Sequence, residues 1–193
     1  CLEQRALGER AEKSQQSVAD HPCQDAAMRS LILGRTLMGE RLYDVGIGLD
    51  FIKNYQTLNG HIGVVGNSLG GTLSVYSAAL FPNISFCIAS SCFASFDTTL
   101  LSRYHCTDLY IPNIRTYFEF GDIAGLASPK KMLILQAVND PMFPLVGLRN
   151  AYKTTKTIYK SMGCADHIRL EIAQRGHRFY NELATIGKNA LRF

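Results

Sequence analysis

The sequence has no apolar run close to the roughly 20 residues that a membrane-spanning helix requires. Lysine and arginine are scattered rather than clustered, so the net charge of +4 creates no nucleic-acid-binding patch. The six cysteines include no C-x-x-C pair and no zinc-type spacing, so no metal site is expected. These absences argue against integral membrane proteins, nucleic-acid-binding domains and small zinc modules.

What remains is the composition of an ordinary globular protein. The chain has 193 residues, of which 47% are hydrophobic and 19% are charged, and this is enough for one domain with its own core. The segment Cys1–Arg5 lacks the basic start and apolar core of a signal peptide, so a cytoplasmic location is the expectation. Because the chain opens on cysteine rather than methionine, we also expect residues to precede Cys1 in the native protein.

Two redox states of the cysteines remain open. Cys87 and Cys92 lie in an apolar, strand-like run, where a free thiol behaves as a small hydrophobic group, and this favours reduced cysteines. A disulfide between Cys92 and Cys106 in an exported protein is the alternative.

Apolar patterns predict strands that alternate with helices along most of the chain. Runs of β-branched and other apolar residues indicate strands, and apolar residues at three- and four-residue steps indicate helices. This alternation predicts an α/β fold with a mostly parallel sheet and helices on both faces. The predicted strands are Ile62–Val65, Ser85–Ser91, Lys131–Val138 and Ile168–Ala173. The predicted helices are Ala26–Met38, which closes near Gly39, then Tyr43–Tyr55, Ser68–Leu80, Leu145–Met162 and Arg178–Leu191.

The stretch from residue 93 to residue 129 shows no period and is rich in aromatic residues. A loop of this length inside a compact domain usually has a function, such as a lid or a pocket wall. The alternative is a pair of short helices that pack on the core. The chain is therefore predicted to form one domain over residues 1–193, with a lid-like insertion at about 93–129.

The sequence Gly66-Asn67-Ser68-Leu69-Gly70 is a G-x-S-x-G motif between a predicted strand and a predicted helix. In this setting the serine occupies a sharp, strained turn that exposes its hydroxyl above the sheet as a nucleophile. Glycine is needed on either side because a Cβ would collide with the facing backbone. The N–H of Leu69, at the positive end of the helix, is a candidate oxyanion donor. The alternative is that Ser68 only caps the helix.

An acid and a base follow in the chain order that this motif requires. Asp140 comes shortly after the third predicted strand and His177 shortly after the fourth, and active sites of parallel sheets gather at these carboxyl ends. The simpler alternatives are a turn at Asp140-Pro141 and a helix cap at Gly176-His177. In the catalytic interpretation, His177 takes the proton of Ser68 and Asp140 orients the imidazole. The residues offer no candidate for a second oxyanion donor.

Several motifs together resemble the α/β-hydrolase superfamily, and within it the dienelactone hydrolase and acetyl xylan esterase-like branch. The matching segments are Leu7–Arg10, Gly34–Ile52, Gly63–Thr72, Asn139–Pro144 and Arg175–Tyr180. Dienelactone hydrolases themselves use a cysteine nucleophile, so the serine favours the esterase side of the branch. Members of this family have several strands and an oxyanion loop before the position of Cys1, so we expect the first strands of the sheet to be missing here.

The resemblance implies hydrolysis of a carboxylic ester through an acyl-enzyme, with Ser68, Asp140 and His177 as the triad and without a metal or cofactor. The implied partner is a small ester substrate, such as an acetylated carbohydrate, with no nucleic acid or membrane; the oligomeric state stays open. Two alternatives remain at this point. One is a peptidase of the prolyl-oligopeptidase type, which shares the architecture, and the other is a catalytically idle scaffold.

Overall fold

A computed structural model of the chain describes residues 2–11, 22–54, 60–174, 176–182 and 185. These residues fall into two compact units. The first is drawn from residues 1–59 and 105–112, and the second from residues 60–104 and 113–193. The three predicted site residues all belong to the second unit.

The first unit is helical. It contains helices α1 (Pro22–Ile32) and α2 (Leu37–Lys53), together with short 3-10 helices at Gly8–Arg10 and Thr107–Leu109. A fully buried ion pair ties it together, because Arg41 Nη1 on α2 lies 2.6 Å from an Asp108 carboxylate oxygen. The same guanidinium donates two further hydrogen bonds, of 3.0 and 2.9 Å, to the carbonyl of Arg5.

The boundary between the first two helices differs from the prediction. The predicted helix ran on to Met38 and closed near Gly39, whereas α2 already begins at Leu37. The chain leaves α1 through Gly34, whose φ of +70° is the left-handed conformation that glycine adopts easily. Thr36 then caps α2, because its hydroxyl accepts the N–H of Gly39 at 3.0 Å. The glycine taken as a stop is therefore the third residue of the next helix.

The second unit is built on a parallel sheet flanked by helices, which confirms the predicted fold class. The strands lie in the order β1-β2-β3-β4, and each neighbouring pair is parallel. Their carboxyl ends consequently meet at one edge of the sheet. The elements are β1 (Ile62–Asn67), α3 (Leu69–Leu80), β2 (Ile84–Ser90), α4 (Ile114–Tyr117), α5 (Phe120–Gly125), β3 (Lys131–Ala137), α6 (Leu145–Ser161) and β4 (Ile168–Ala173).

Strand β3 forms the centre of the core. Its residues from Met132 to Ala137 are buried, as expected for a strand covered on both faces. Alternate side chains, Leu133, Leu135 and Ala137, share one face and cluster with Tyr180. Helix α3 packs on β1 and β2, and α6 packs on α5 and β4. The C-terminal helix predicted from Arg178 to Leu191 lies mostly outside the described residues.

The predicted insertion at 93–129 consists of short helices rather than one long loop. In the second unit these are a 3-10 helix at Phe96–Thr98, followed by α4 and α5. Phe93 and Phe96 contact Phe120 edge to face, with ring centroids 5.2 and 5.8 Å apart. These aromatic rings are buried and form part of the core. A lid function for this segment stays a prediction.

The structure has Cys92 and Cys106 as free thiols, in agreement with the reduced state that the sequence favoured. Burial raises the pKa of Cys92 well above its ordinary value and raises that of Cys87 to about 12, so both thiols are protonated. Within the described part of the chain, no helix combines the length and hydropathy of a membrane span.

Candidate active site

The serine turn, defined as residues 66–70, joins the end of β1 to α3. Ser68 has φ of 54° and ψ of −122°, a backbone conformation that a non-glycine residue rarely adopts. Its N–H donates to the carbonyl of Ser90 at 2.8 Å, and its carbonyl accepts the N–H of Thr72 at 2.9 Å. The turn is thus fixed by the neighbouring strand and by the helix. Such a held strain is typical of functional turns.

Gly66 is required by the close approach of the backbone within this turn. A Cβ built at Gly66 would overlap the carbonyl group of Gly70, the other glycine of the motif. The obstacle is backbone and not a flexible side chain, so it cannot move aside without opening the turn. The motif therefore places glycine where the fold has no room for any side chain.

We expect Gly66→Ala to destabilise the protein and to disrupt the serine turn. Overpacking of a rigid site costs about 1–3 kcal/mol or more, and the collision here is with main chain. A lower midpoint of urea unfolding is the measurement. Gly48→Ala is the control, because Gly48 has an ordinary helical φ in α2 and an added Cβ would meet only a side-chain carbon of Leu2 at 4.0 Å. If Gly66→Ala were no more destabilising than this control, the packing argument would be wrong.

Leu69 is the first residue of α3, so its N–H has no acceptor within the helix. The helix dipole adds a partial positive charge at this end. An N–H with these properties, adjacent to the serine hydroxyl, can stabilise a developing negative charge on a bound acyl group. The assignment of Leu69 as an oxyanion donor stays a prediction.

Asp140 is a buried carboxylate, and both of its oxygens accept hydrogen bonds. One oxygen accepts the N–H groups of Met142 and Phe143 at 2.9 and 3.2 Å, and the other accepts Gln136 Nε2 at 2.9 Å. Burial alone would raise the pKa of Asp140, but hydrogen bonds from His177 and from these backbone N–H groups hold it below its ordinary value. The side chain is therefore an oriented anion at neutral pH.

Gln136 is a contributor to this site that the sequence analysis missed. It is fully buried on β3, four residues before Asp140, and every other buried position of this strand is apolar. Its amide donates to Asp140 and lies 3.4 Å from the carbonyl of Phe143, while its oxygen lies 3.5 Å from the N–H of Phe93. A buried amide needs such partners. A single amide in the apolar run that follows Lys131 was the available signal.

His177 lies on the loop after β4 and pairs with Asp140. The distance between His177 Nδ1 and an Asp140 carboxylate oxygen is 2.9 Å. The imidazole also stacks on Phe143, with the ring centroids 5.8 Å apart and the planes 12° from parallel. Because a carboxylate can only accept, Nδ1 carries the proton and a neutral ring keeps its lone pair on Nε2. The second nitrogen is thus prepared to accept a proton.

The His177 loop, residues 176–180, is also fixed to the end of β2. The hydroxyls of Ser90 and Ser91 both donate to the carbonyl of Arg178, at 3.1 and 2.9 Å. The structure therefore joins Asp140 directly to His177 and connects Ser68 to the same loop through Ser90. Among the described residues, no hydrogen bond joins the Ser68 hydroxyl to His177. Catalytic hydrogen bonds are often long in unliganded enzymes and tighten when substrate binds.

One part of the aromatic-rich segment borders the site. Arg103 Nη1 donates to the carbonyl of Pro141 at 3.0 Å, and its Nε donates to the carbonyl of Thr98 at 3.2 Å. Residues 98–103 therefore lie beside the turn that carries Asp140. Among the described residues, no group of three or more histidine, cysteine, aspartate or glutamate side chains is spaced to hold a metal ion.

The chain is similar to one curated protein of Bacillus subtilis strain 168, named "Putative hydrolase YtaP". The two are 28% identical over 169 residues, which is 84% of this chain and 55% of that protein. No protein-family model matches the chain. The chain thus spans little more than half the length of this relative.

Solved structures give the fold. A putative acetyl xylan esterase from Bacteroides fragilis NCTC 9343 matches with a TM-score of 0.71 and 17% identity, over 88% of this chain and 45% of that one. A family 15 carbohydrate esterase, a glucuronoyl esterase from Caldicellulosiruptor kristjansonii, matches with a TM-score of 0.68 and 15% identity, over 81% and 50%. With the parallel sheet and the strained serine turn, these matches show that the chain has the α/β-hydrolase fold, over about half the length of these esterases.

Proposed function

We propose that this chain carries the catalytic centre of a serine hydrolase that cleaves carboxylic esters. The observation that carries the proposal is the Asp140–His177 pair on the same sheet edge as Ser68 in its strained turn. A strained serine alone would be compatible with a helix cap, and a histidine–aspartate pair alone with an ion pair. Their combination at the carboxyl ends of parallel strands favours nucleophilic catalysis.

In the proposed mechanism His177 Nε2 takes the proton of Ser68 as the hydroxyl oxygen attacks the acyl carbon of the ester. Asp140 stays ionised and stabilises the imidazolium, which its lowered pKa favours. The N–H of Leu69 supports the tetrahedral oxyanion. The imidazolium then protonates the departing alcohol, and a water molecule, activated by His177 in the same way, releases the acid from Ser68.

The substrate class is proposed from the comparisons. The similar structures include a putative acetyl xylan esterase and a glucuronoyl esterase. Both names refer to esters on carbohydrates, and we therefore propose a small or acetylated ester, carried on a sugar, as the substrate. About a quarter of the His177 side chain is exposed, so a substrate can reach the imidazole.

Labelling with a fluorophosphonate probe tests the proposal. This probe phosphonylates only a serine that a base activates. Peptide mapping should therefore place the adduct on Ser68 and find Ser90 and Ser91 unmodified. The natural protein, with every segment that it contains in the cell, should be used. An absence of any Ser68 adduct would favour the idle scaffold. An adduct together with turnover of peptidyl amides, but not of short esters, would favour a peptidase.

A further inference from the structure

Ser90 and Ser91 stand at the end of β2, between the strand that leads to Ser68 and the strand that leads to Asp140. Both are fully buried, with 0% of each residue exposed. A buried hydroxyl is costly unless it is hydrogen-bonded. Both hydroxyls use the same acceptor, the carbonyl of Arg178, which directly follows His177. The proposed reaction gives neither serine a chemical step.

Two successive serines can reach one carbonyl only because the strand ends between them. Neighbouring side chains of a regular strand point to opposite faces of the sheet. Ser91 leaves this pattern with φ of +50°, a conformation that costs a non-glycine residue free energy. The break brings both hydroxyls to the same side. Since a carbonyl oxygen has two lone pairs, the two bonds use its full capacity.

The backbone groups of Ser90 and Ser91 are hydrogen-bonded to the serine turn and to β3. The Ser90 carbonyl accepts the N–H of Ser68 at 2.8 Å, and the Ser91 N–H donates to the carbonyl of Leu135 on β3 at 2.8 Å. The pair therefore connects the serine turn, the central strand and the His177 loop. Its main chain holds the proposed nucleophile while its side chains hold the residue next to the proposed base.

We propose that Ser90 and Ser91 are positioning residues, which set the distance between the imidazole of His177 and the hydroxyl of Ser68. This inference rests on the proposed function. Asp140 and Phe143 contact the ring from the turn after β3, which is not the segment that holds the Ser68 backbone. The link to the serine turn runs through β2. Misplacement by about 1 Å can reduce a catalytic rate about 100-fold, so the link matters for the reaction.

A second anchor makes the loop rigid on the other side of His177. The Tyr180 hydroxyl donates to the carbonyl of Gly176, and the Tyr180 ring is buried in the cluster with Leu133 and Leu135. Ser91 also hydrogen-bonds to the Tyr180 hydroxyl, so the part of this anchor that does not depend on the serine hydroxyls is the buried ring. A variant that lacks them should therefore remain folded but hold its histidine less accurately.

The test is the rate of fluorophosphonate labelling of Ser68 in the natural protein carrying Ser90→Ala and Ser91→Ala together. We expect the second-order rate constant to fall by about 10- to 100-fold, while the final labelled fraction stays at the wild-type level. The fraction reports how much protein is folded, and the rate reports how well the base is placed. The single variant Ser90→Ala leaves one donor on Arg178, so its rate should fall less.

Thr155→Val is the matched control, because it removes an equally buried hydroxyl that bonds to the carbonyls of Gly121 and Ala151, both at 2.9 Å. It should lower the melting temperature and leave the labelling rate unchanged. Labelling of the double variant at the wild-type rate would overturn the positioning role of Ser90 and Ser91 but leave the proposed function standing. A lower labelled fraction at an unchanged rate would have the same meaning. If wild-type Ser68 were not labelled at all, the proposed function would fall together with the inference.

Discussion

Replacing Ser68 by alanine is expected to lower kcat for p-nitrophenyl acetate by about 10⁵-fold or more, as the loss of the triad nucleophile does in a characterised serine protease. In the proposed mechanism the hydroxyl oxygen of Ser68 forms the bond to the acyl group, so no neighbouring group can replace it. A 10⁵-fold loss corresponds to about 7 kcal/mol of transition-state free energy. Steady-state kinetics with the ester, together with the loss of the fluorophosphonate adduct, are the measurements.

The Ser68→Ala protein should remain folded. Alanine makes no new contact at the start of α3, and Ser68 makes no side-chain hydrogen bond as the cap of that helix. Ser77→Ala, in the buried face of the same helix, is the matched control and should retain activity. Retention of most ester hydrolysis by Ser68→Ala would refute the proposed nucleophile.

The strands and the order of the site residues were predictable because they depend on local patterns. β4 coincides with the predicted Ile168–Ala173, and β3 ends one residue before the predicted Val138. A buried strand of a parallel sheet is a continuous apolar run, which is visible in the sequence. Once the strands are known, the carboxyl-end rule places Ser68, Asp140 and His177 at one edge without any coordinates.

The contacts that fix the site were not predictable, because they join residues far apart in the chain. The hydroxyl of Ser90 bonds to a carbonyl 88 residues away, and this pairing depends on the register of three strands. In the sequence, Ser90 and Ser91 are only the end of a predicted strand. Gln136 was missed for a related reason. Its role depends on the turn at Asp140 folding back over the strand, which no periodicity reveals.

Local chemistry also misled the sequence analysis at one place. Gly39 was taken as a helix stop because glycine commonly follows the last turn of a helix. The structure uses Gly34 for that purpose and lets Thr36 cap the next helix. Both glycines satisfy the pattern. The hydrogen bond that the Gly39 N–H donates to the Thr36 hydroxyl shows that Gly39 lies inside the second helix. Such a bond depends on side-chain geometry, which the sequence pattern does not reveal.

The candidate site separates into a hydrogen-bonded Asp140–His177 pair and a serine in a strained turn, supplied by different strands. Asp140 and His177 are joined directly, whereas Ser68 is held by the backbone of β2. The orientation of the imidazole is therefore controlled mainly at the carboxylate. A change there should abolish the function of the base without disturbing the serine turn, and this makes Asp140 the most informative residue after Ser68.

Asp140→Asn is expected to lower kcat about 10⁴-fold by forcing the wrong tautomer on the histidine. The N–H groups of Met142 and Phe143 point at one oxygen of Asp140, so the amide oxygen of the variant must occupy that position. The amide nitrogen then takes the place of the oxygen that faces Gln136 and His177. Its N–H donates to Nδ1, the imidazole proton moves to Nε2, and the ring can no longer accept the proton of Ser68.

Asp97→Asn is the control for this prediction. It removes a carboxylate from an exposed ion pair with Arg115, and such surface pairs contribute little to stability because solvent screens them. The melting temperature of Asp140→Asn should fall moderately, because two amide nitrogens, those of Asn at 140 and of Gln136, now face each other. Its kcat should fall far more than its stability explains. A loss of less than about tenfold would mean that Asp140 does not orient the base, and the triad would then have to be abandoned while Ser68 could still be reactive.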